Sequence, residues 1–143
     1  MNKVVYSHQK DDWETPQSLF YELNLEFNFD VDLAANKKNS KCICYIGDIS
    51  SVLYNNPSNL RFDSAFCNPP YSSQRKFIEF SLKHNLPTVF LLPSRTDTKM
   101  FHELIYNKPG FEIRFIKGRL KFSESKNSAP FPSMLVIFRG VNP

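Results

Sequence analysis

The chain has 143 residues, of which 41% are hydrophobic and 15% aromatic, values typical of one folded globular domain rather than of a disordered chain. No apolar run approaches the length of a membrane span and the N-terminus lacks a signal-peptide core, so we expect a cytoplasmic protein without a membrane partner. The net charge is +4, with 6 Lys/Arg and 9 Asp/Glu in residues 1–70 and 12 and 5 in residues 71–143, which indicates either a face that meets a polyanion or an unevenly charged, solvated surface.

The N-terminal part of the chain predicts a loose arm followed by a helix. We expect residues 1–143 to form a single domain. Residues 1–12 are polar and lack periodicity, so we expect them to be its loose N-terminal arm. Thr15 is the predicted N-cap and Pro16 the first helical residue, because an apolar stripe of helical spacing follows. Such a helix start offers N–H groups to an anion, and Trp13 lies beside it.

The next segment predicts the first strand. Residues 25–35 alternate apolar and polar side chains, which is the period of a half-buried strand. Asp30 and Asp32 are two residues apart, so we expect their carboxylates on one face. The strand runs into small residues, among them Ala34, at the place where a nucleotide-binding fold has its tight loop. The alternative is a surface strand with solvated carboxylates.

A short apolar run over residues 42–46 predicts a second strand, and Asp48 follows it. Asn, Pro and Ser clusters predict an irregular connector over residues 49–62. The chain has three cysteines, and their odd number and spacing argue against a disulfide framework or a zinc site. We therefore expect reduced, mostly structural thiols and no metal.

An apolar run over residues 63–67 suits a buried strand, and Asn68-Pro69-Pro70-Tyr71 ends it, because proline cannot donate to a sheet ladder. Asn68 carries a side-chain carbonyl, and Pro69 adds a backbone carbonyl on a stiff peptide. Two such acceptors can hold both hydrogens of a planar amine and keep its lone pair on nitrogen. Tyr71 offers a flat face on which a base can stack. The alternative is a turn without chemistry.

The rest of the chain alternates helical and strand patterns, which predicts an α/β fold with parallel strands joined by a helical crossover. Helical spacing covers residues 72–84 and recurs around residues 100–105, and continuous apolar runs predict strands over residues 88–92 and 133–138. Residues 111–116 and 119–122 are expected to pair as a hairpin. The predicted sheet is mostly parallel, with an antiparallel C-terminal portion.

Six segments, taken in order, resemble the phage-type DNA N-6-adenine methyltransferases (Dam family) across nearly the whole chain: residues 12–16, 29–35, 68–71, 93–98, 118–122 and 129–133. The resemblance implies a compact, Rossmann-like class I methyltransferase fold. It also implies a fold shortened after the first strand, since twelve residues separate Ala35 from Asp48 and no glycine-rich loop is present.

The resemblance implies transfer of a methyl group from S-adenosylmethionine to the exocyclic amine of an adenine flipped out of DNA. It assigns catalysis to Asn68, Pro69, Pro70 and Tyr71. It assigns cofactor binding to Thr15, Pro16 and Asp32, and their positions add Trp13, Asp30, Ala34 and Asp48 as candidates. Candidate contacts to DNA phosphates are the basic residues Arg95, Lys99, Arg114, Lys117, Arg119 and Lys121.

Two other functions fit the same motif. Asn-Pro-Pro-Tyr also occurs in enzymes that methylate glutamine in proteins or amines in RNA, because both present a planar nitrogen. The basic second half favours nucleic acid over a protein loop. A non-catalytic DNA-binding or regulatory module that retains the fold is the third possibility. The sequence also allows either a mark that protects DNA, as in restriction–modification, or one that regulates expression.

Overall fold

The structure is a computed structural model that describes residues 13–35, 39–42, 44–47, 62–122 and 127–142. The expected arm over residues 1–12, Asp48 and most of the expected connector lie outside the described residues. The helices are α1 (Gln17–Phe27) and α2 (Gln74–His84), with a 3₁₀ turn at Tyr71–Ser73 and a π-helical segment at Phe101–Ile105. The strands are β1 (Val31–Asp32), β2 (Ala65–Cys67), β3 (Thr88–Pro93), β4 (Phe111–Phe115) and β5 (Ser133–Phe138).

The five strands form one mixed sheet in the order β1-β2-β3-β5-β4. β1, β2 and β3 are parallel, and α2 connects β2 to β3. β5 lies between β3 and β4 and is antiparallel to both. The predicted α/β class, with a parallel first part and an antiparallel C-terminal part, is therefore confirmed. Among the described residues, no helix has the length and apolar character needed to cross a bilayer.

Both faces of the sheet are covered, because successive side chains of each strand point to opposite sides. In β5, Met134 and Val136 pack on the side of α2 and the π-helical segment. Leu135 and Ile137 pack on the side of α1. The α1 side is rich in aromatic rings, which come from both ends of the chain: Phe20, Phe29, Phe66, Phe122 and Phe131.

The prediction of a strand over residues 25–35 was wrong in its first part. The helix α1 continues to Phe27, and Asn28 ends it with a left-handed backbone conformation (φ 49°). Asn tolerates this conformation better than most residues, which makes it a common helix terminator. Only Val31 and Asp32 form β1, because Leu23 and Phe27 also fit the helical period that begins at Phe20.

Within the described residues, the second strand expected over residues 42–46 is reduced to one parallel β-bridge between Tyr45 and Asp32. The Ile46 N–H donates to the Asp32 carbonyl at 2.8 Å, and the Asp32 N–H donates to the Cys44 carbonyl at 3.0 Å. This segment therefore extends the sheet beside β1 only briefly.

The expected hairpin between residues 111–116 and 119–122 was also wrong. β4 pairs with β5 along its whole length, from Phe111 opposite Phe138 to Phe115 opposite Met134. Residues 119–122 form no strand and cross the α1 side of the sheet, where Phe122 is buried. Burial of the Phe122 ring explains this path. Removing a phenyl ring from water stabilises the fold more than forming a short strand at an exposed sheet edge would.

Candidate active site

The predicted catalytic motif lies at the carboxyl edge of the parallel strands. Asn68 follows β2 directly, and Asp32 ends the neighbouring strand β1, where it is opposite Phe66. Pro93 ends β3 on the other side of β2. In open α/β sheets ligands bind at this edge. The fold thus brings Asp32 and Asn68 to one side of the molecule although 35 residues separate them in the sequence.

The amide of Asn68 is held in one orientation by the segment that precedes α1. Its Nδ2 donates to the Trp13 backbone carbonyl and, at 2.9 Å, to Thr15 Oγ1. A backbone carbonyl only accepts hydrogen bonds, so the atom that faces Trp13 must be the nitrogen. Both amide hydrogens are therefore engaged, and Oδ1 points away from this segment. Within the described residues, no group donates to Oδ1.

The prediction that Thr15 caps α1 was wrong. The helix begins at Gln17 with Pro16 in the N-cap position, and no side chain caps it. Thr15 is only 3% exposed, and its hydroxyl receives the Asn68 amide instead. The Thr15 side chain thus lies towards Asn68, whose half-buried amide needs an acceptor. Trp13 and Thr15, predicted to bind the cofactor, are brought against the predicted catalytic asparagine.

A narrow cleft lies beside Asn68, and its free volume of about 10 Å³ is close to the space that one water molecule needs. Tyr71 is 37% exposed at its edge, and the Arg95 guanidinium lies 5.3 Å from the centre of the Tyr71 ring. The cleft is lined by side chains from five regions of the chain: Trp13; Asn68, Pro69, Tyr71 and Gln74; Leu91, Leu92 and Pro93; Phe122; and Phe131 and Ser133.

Phe122, Phe131 and Ser133 were missed as site residues by the sequence analysis. The Trp13 ring lies 5.3 Å from the Phe122 ring and 5.4 Å, edge-on, from the Phe131 ring. Phe131 and Ser133 flank Pro132 immediately before β5. An aromatic residue between prolines at the start of a strand was the available signal, but it does not reveal which loop it faces.

Asp32, a predicted cofactor residue, is deeply buried at the end of β1. It is 3% exposed, and its carboxylate accepts the N–H groups of Lys41 (3.0 Å) and Ala34 (3.3 Å). Burial raises the pKa of Asp32, and these two hydrogen bonds counteract the rise only in part. Among the described residues, no cationic side chain forms an ion pair with it. A buried carboxylate beside the small residue Ala34 fits a cationic group of a ligand.

Asp30, another predicted cofactor residue, lies apart from Asp32. Asp30 precedes β1, at the opposite end of that strand, and its exposed carboxylate accepts the N–H groups of Asp63 (2.8 Å) and Ser64 (3.2 Å). Pro16 accepts the N–H of Phe20 at 3.1 Å and so begins α1. Asp30 therefore stabilises the turn before β2 rather than the edge where Asn68 lies.

Burial disfavours the thiolate form of two of the three cysteines, Cys42 and Cys67. Cys67 is fully buried directly before Asn68, and burial raises the pKa of its thiol well above the usual value. Burial also raises the pKa of Cys42 to about 12. All three cysteines are free, and no group of three His, Cys, Asp or Glu side chains in the described residues is arranged as metal ligands.

The six predicted phosphate contacts fall into different environments. Arg95 follows β3, and the exposed side chains of Lys117, Arg119 and Lys121 lie in the loop that leads to Phe122 in the cleft. No ion-pair partner of these four side chains occurs in the described residues. We call Arg95, Lys117, Arg119 and Lys121 the basic rim. Lys99 lies beyond it, before the π-helical segment and near Glu103.

Arg114, on β4, is already neutralised. Its guanidinium binds both carboxylate oxygens of Glu26 at 2.7 and 2.8 Å and Glu112 at 2.7 Å. The hydrogen bonds to Glu26 and Glu112 raise the pKa of Arg114, and the same bonds lower the pKa of both carboxyl groups. Arg114 also lies 5.6 Å from the ring of Phe27, at the end of α1 farthest from Trp13.

Comparisons with known proteins bear on this arrangement. No curated protein and no solved structure matched the chain. One family model matched residues 3–143, described as "DNA N-6-adenine-methyltransferase (Dam)". The match includes Asn68, Asp32 and every residue of the cleft. The chain therefore belongs to the Dam family of DNA N-6-adenine methyltransferases.

Proposed function

We propose that this chain transfers a methyl group from S-adenosylmethionine to the exocyclic amine of an adenine that has been flipped out of DNA. We also propose that its sheet is a compact version of the Rossmann-like class I methyltransferase fold, with both ligands at the carboxyl edge of β1, β2 and β3. The parallel order of these strands and the antiparallel β5 support the second statement.

The orientation of the Asn68 amide carries the proposal. Because Trp13 and Thr15 take both hydrogens of Nδ2, Oδ1 is left as an acceptor beside the cleft. A freely rotating amide would present a donor half of the time, and a donor repels an amine hydrogen. Preorganisation of this kind lowers the cost of reaching the reactive geometry.

Asn68 Oδ1 and the Pro69 carbonyl accept hydrogen bonds from the two N–H groups of the amine. These bonds keep the nitrogen lone pair from conjugating with the ring. Tyr71 stacks on the base from the edge of the cleft, where its partly exposed ring can reach an incoming ligand. The cleft is narrow, so entry of a base requires Tyr71 or its neighbours to move. A base inside a duplex must leave the stack to reach this position.

Asp32 would hold S-adenosylmethionine through its positively charged groups, with Ala34 leaving room beside it. When bound, the cofactor supplies an electrophilic methyl group. The buried carboxylate is costly without a cationic partner, which supports this role. The basic rim would bind DNA phosphates on either side of the flipped nucleotide, since its four side chains are exposed near the cleft.

The direct test is transfer of a tritiated methyl group from S-adenosylmethionine to three acceptors: unmodified DNA, RNA and a protein extract. We expect label in DNA alone, recovered after digestion as N-6-methyladenine, and sequencing of the product maps the modified sites. Label in RNA or in protein glutamine would show that the proposed substrate is wrong but that the chain still transfers methyl groups. Absence of both cofactor binding and transfer would favour the non-catalytic module.

A further inference from the structure

Ser133 is a buried hydroxyl without a partner. Its side chain is 1% exposed, and within the described residues Oγ makes no hydrogen bond. Ser81 is equally buried at 1% exposure, but its Oγ lies 2.7 Å from Thr88 Oγ1. Buried polar groups are nearly always hydrogen-bonded, so each exception needs a physical reason.

The position of Ser133 suggests that reason. It is the first residue of β5, opposite Pro93 of β3, and it lines the cleft that contains Asn68. Strand alternation places its side chain on the face of Leu135 and Ile137, which is the α1 side of the sheet. Its backbone carbonyl accepts the Ile116 N–H at 3.2 Å, so the hydroxyl alone is unused.

The chemistry of adenine supplies a matching acceptor. The exocyclic amine of adenine lies between two ring nitrogens, N1 and N7, and each can accept a hydrogen bond. A serine hydroxyl is both a donor and an acceptor and can rotate towards either. A base whose amine is held by Asn68 and Pro69 would bring one of these nitrogens to the same cleft.

We propose that Ser133 Oγ–H donates a hydrogen bond to one of the two ring nitrogens beside the amine, which makes Ser133 a substrate-binding residue that selects the base. This inference rests on the proposed function. The correct base supplies the hydrogen-bond partner that Ser133 Oγ lacks within the described residues. A base without an acceptor at that position leaves it unpaired, and sites built in this way reject such analogues strongly.

The test compares wild type, Ser133→Ala and Ser81→Ala on DNA that carries adenine, 1-deazaadenine or 7-deazaadenine at the mapped target. Each analogue replaces one ring nitrogen by C–H. For wild type, we expect kcat/KM to fall about 10- to 100-fold with one analogue. Ser133→Ala should show a similar loss with adenine and no further loss with that same analogue, because the two changes remove one hydrogen bond.

Thermal unfolding separates this role from a structural one. Because Ser133 Oγ makes no hydrogen bond to any residue that the structure describes, Ser133→Ala should keep Tm within about 2 °C of wild type or raise it. Ser81→Ala removes the partner of Thr88, so it should lower Tm and leave the preference for adenine over both analogues at the wild-type ratio.

Three outcomes would overturn the inference alone. The first is adenine methylation by Ser133→Ala at the wild-type rate, and the second is a further loss of kcat/KM in Ser133→Ala with each analogue, as large as the loss in wild type. The third is a Ser133→Ala variant that is destabilised as much as Ser81→Ala. A wild-type chain that transfers no methyl group to adenine would overturn the proposed function, and this inference with it.

Discussion

At the scale of single residues, the site depends on how one amide is turned. Asn68 is an acceptor towards the cleft because two groups from the start of the chain, the Trp13 carbonyl and Thr15 Oγ1, bind its NH₂ group. In the proposed function, the side chain that accepts the substrate hydrogens is oriented by residues that need not touch the substrate. We therefore expect Thr15 to act as a positioning residue.

Replacement of Thr15 by Val tests this role, because Val keeps the shape and removes the acceptor. With only the Trp13 carbonyl left, the amide is less well fixed, and we expect kcat to fall by up to about 100-fold. The Kd for S-adenosylmethionine, measured by calorimetry, should change little. A large loss of cofactor affinity at unchanged kcat would instead return Thr15 to cofactor binding.

If Asp32 binds the cofactor as proposed, its ionisation should change stability and cofactor affinity in opposite directions. Burial raises its pKa above the ordinary value of 3.8, so the folded chain binds this proton more tightly than the unfolded chain does. The contribution of Asp32 to the free energy of unfolding is therefore largest at low pH and falls as the pH rises from 3.8 through the folded pKa. The cationic cofactor prefers the ionised form, so its affinity should rise over the same window.

Urea unfolding and cofactor calorimetry of wild type and Asp32→Asn, from pH 3.5 upwards, measure both trends. As the pH rises, the free energy of unfolding of wild type should fall relative to that of Asp32→Asn. The variant should bind the cofactor weakly at every pH. A wild-type stability that rises relative to Asp32→Asn through this window would contradict the assigned direction.

At the scale of elements, the parts that could be predicted are those whose hydrophobic period fits one structure only. The strands β3 and β5 are continuous apolar runs, and the helix α2 follows a proline-stiffened turn, so all three were found close to their true bounds. Residues 25–27 fit both a strand and the last turn of α1, and tertiary packing of Phe27 decided for the helix.

The site divides in the same way. Asn68-Pro69-Pro70-Tyr71 is local and can be read from adjacent residues. Its partners cannot, because the contact from Asn68 to Thr15 spans 53 residues and the ion pair from Arg114 to Glu26 spans 88. Single-sequence patterns do not report such pairings, which is why Ser133 was missed and Arg114 was included among the phosphate contacts.

The end of α2 provides a stability prediction away from the cleft. Asn85 has a left-handed backbone (φ 49°), and its side chain binds the N–H and the carbonyl of Val141 at 2.9 Å each. Asn85→Ala adds left-handed strain and removes both bonds, so we expect the free energy of unfolding to fall by about 1–2 kcal/mol. Denaturant unfolding should show a smaller loss for Asn85→Gly, which tolerates this backbone, and kcat should be unchanged in both. Equal losses would mean that the backbone conformation contributes nothing.

At the scale of the whole molecule, charge separates the two ends of the sheet. The basic rim lies at the edge with the cleft, and the Glu26–Arg114–Glu112 cluster lies at the far end of α1. We therefore expect the excess of basic residues in the second half of the chain to bind DNA at the basic rim and not at every arginine. The surface proposed to meet a polyanion is then limited to this edge of the sheet.

The salt dependence of DNA binding distinguishes the basic rim from Arg114 in the Glu26–Arg114–Glu112 cluster. The double variant Arg119→Gln with Lys121→Gln should weaken binding and reduce the slope of log K against log salt concentration by about 2, one for each lost phosphate contact. Arg114→Gln is the control and should leave the slope unchanged, because its guanidinium is already paired with Glu26 and Glu112. A slope that falls for Arg114→Gln and not for the double variant would place the DNA on the opposite end.

The most direct measurement is the kcat of Asn68→Ala on unmodified DNA, taken together with its Kd for S-adenosylmethionine. Loss of the oriented carbonyl should reduce kcat at least about 1,000-fold, since a preorganised polar group acts mainly on the transition state. The cofactor Kd should stay within a few-fold, because in the proposed function Asp32, and not Asn68, binds the cofactor. An Asn68→Ala variant that methylates adenine as fast as wild type would contradict the account.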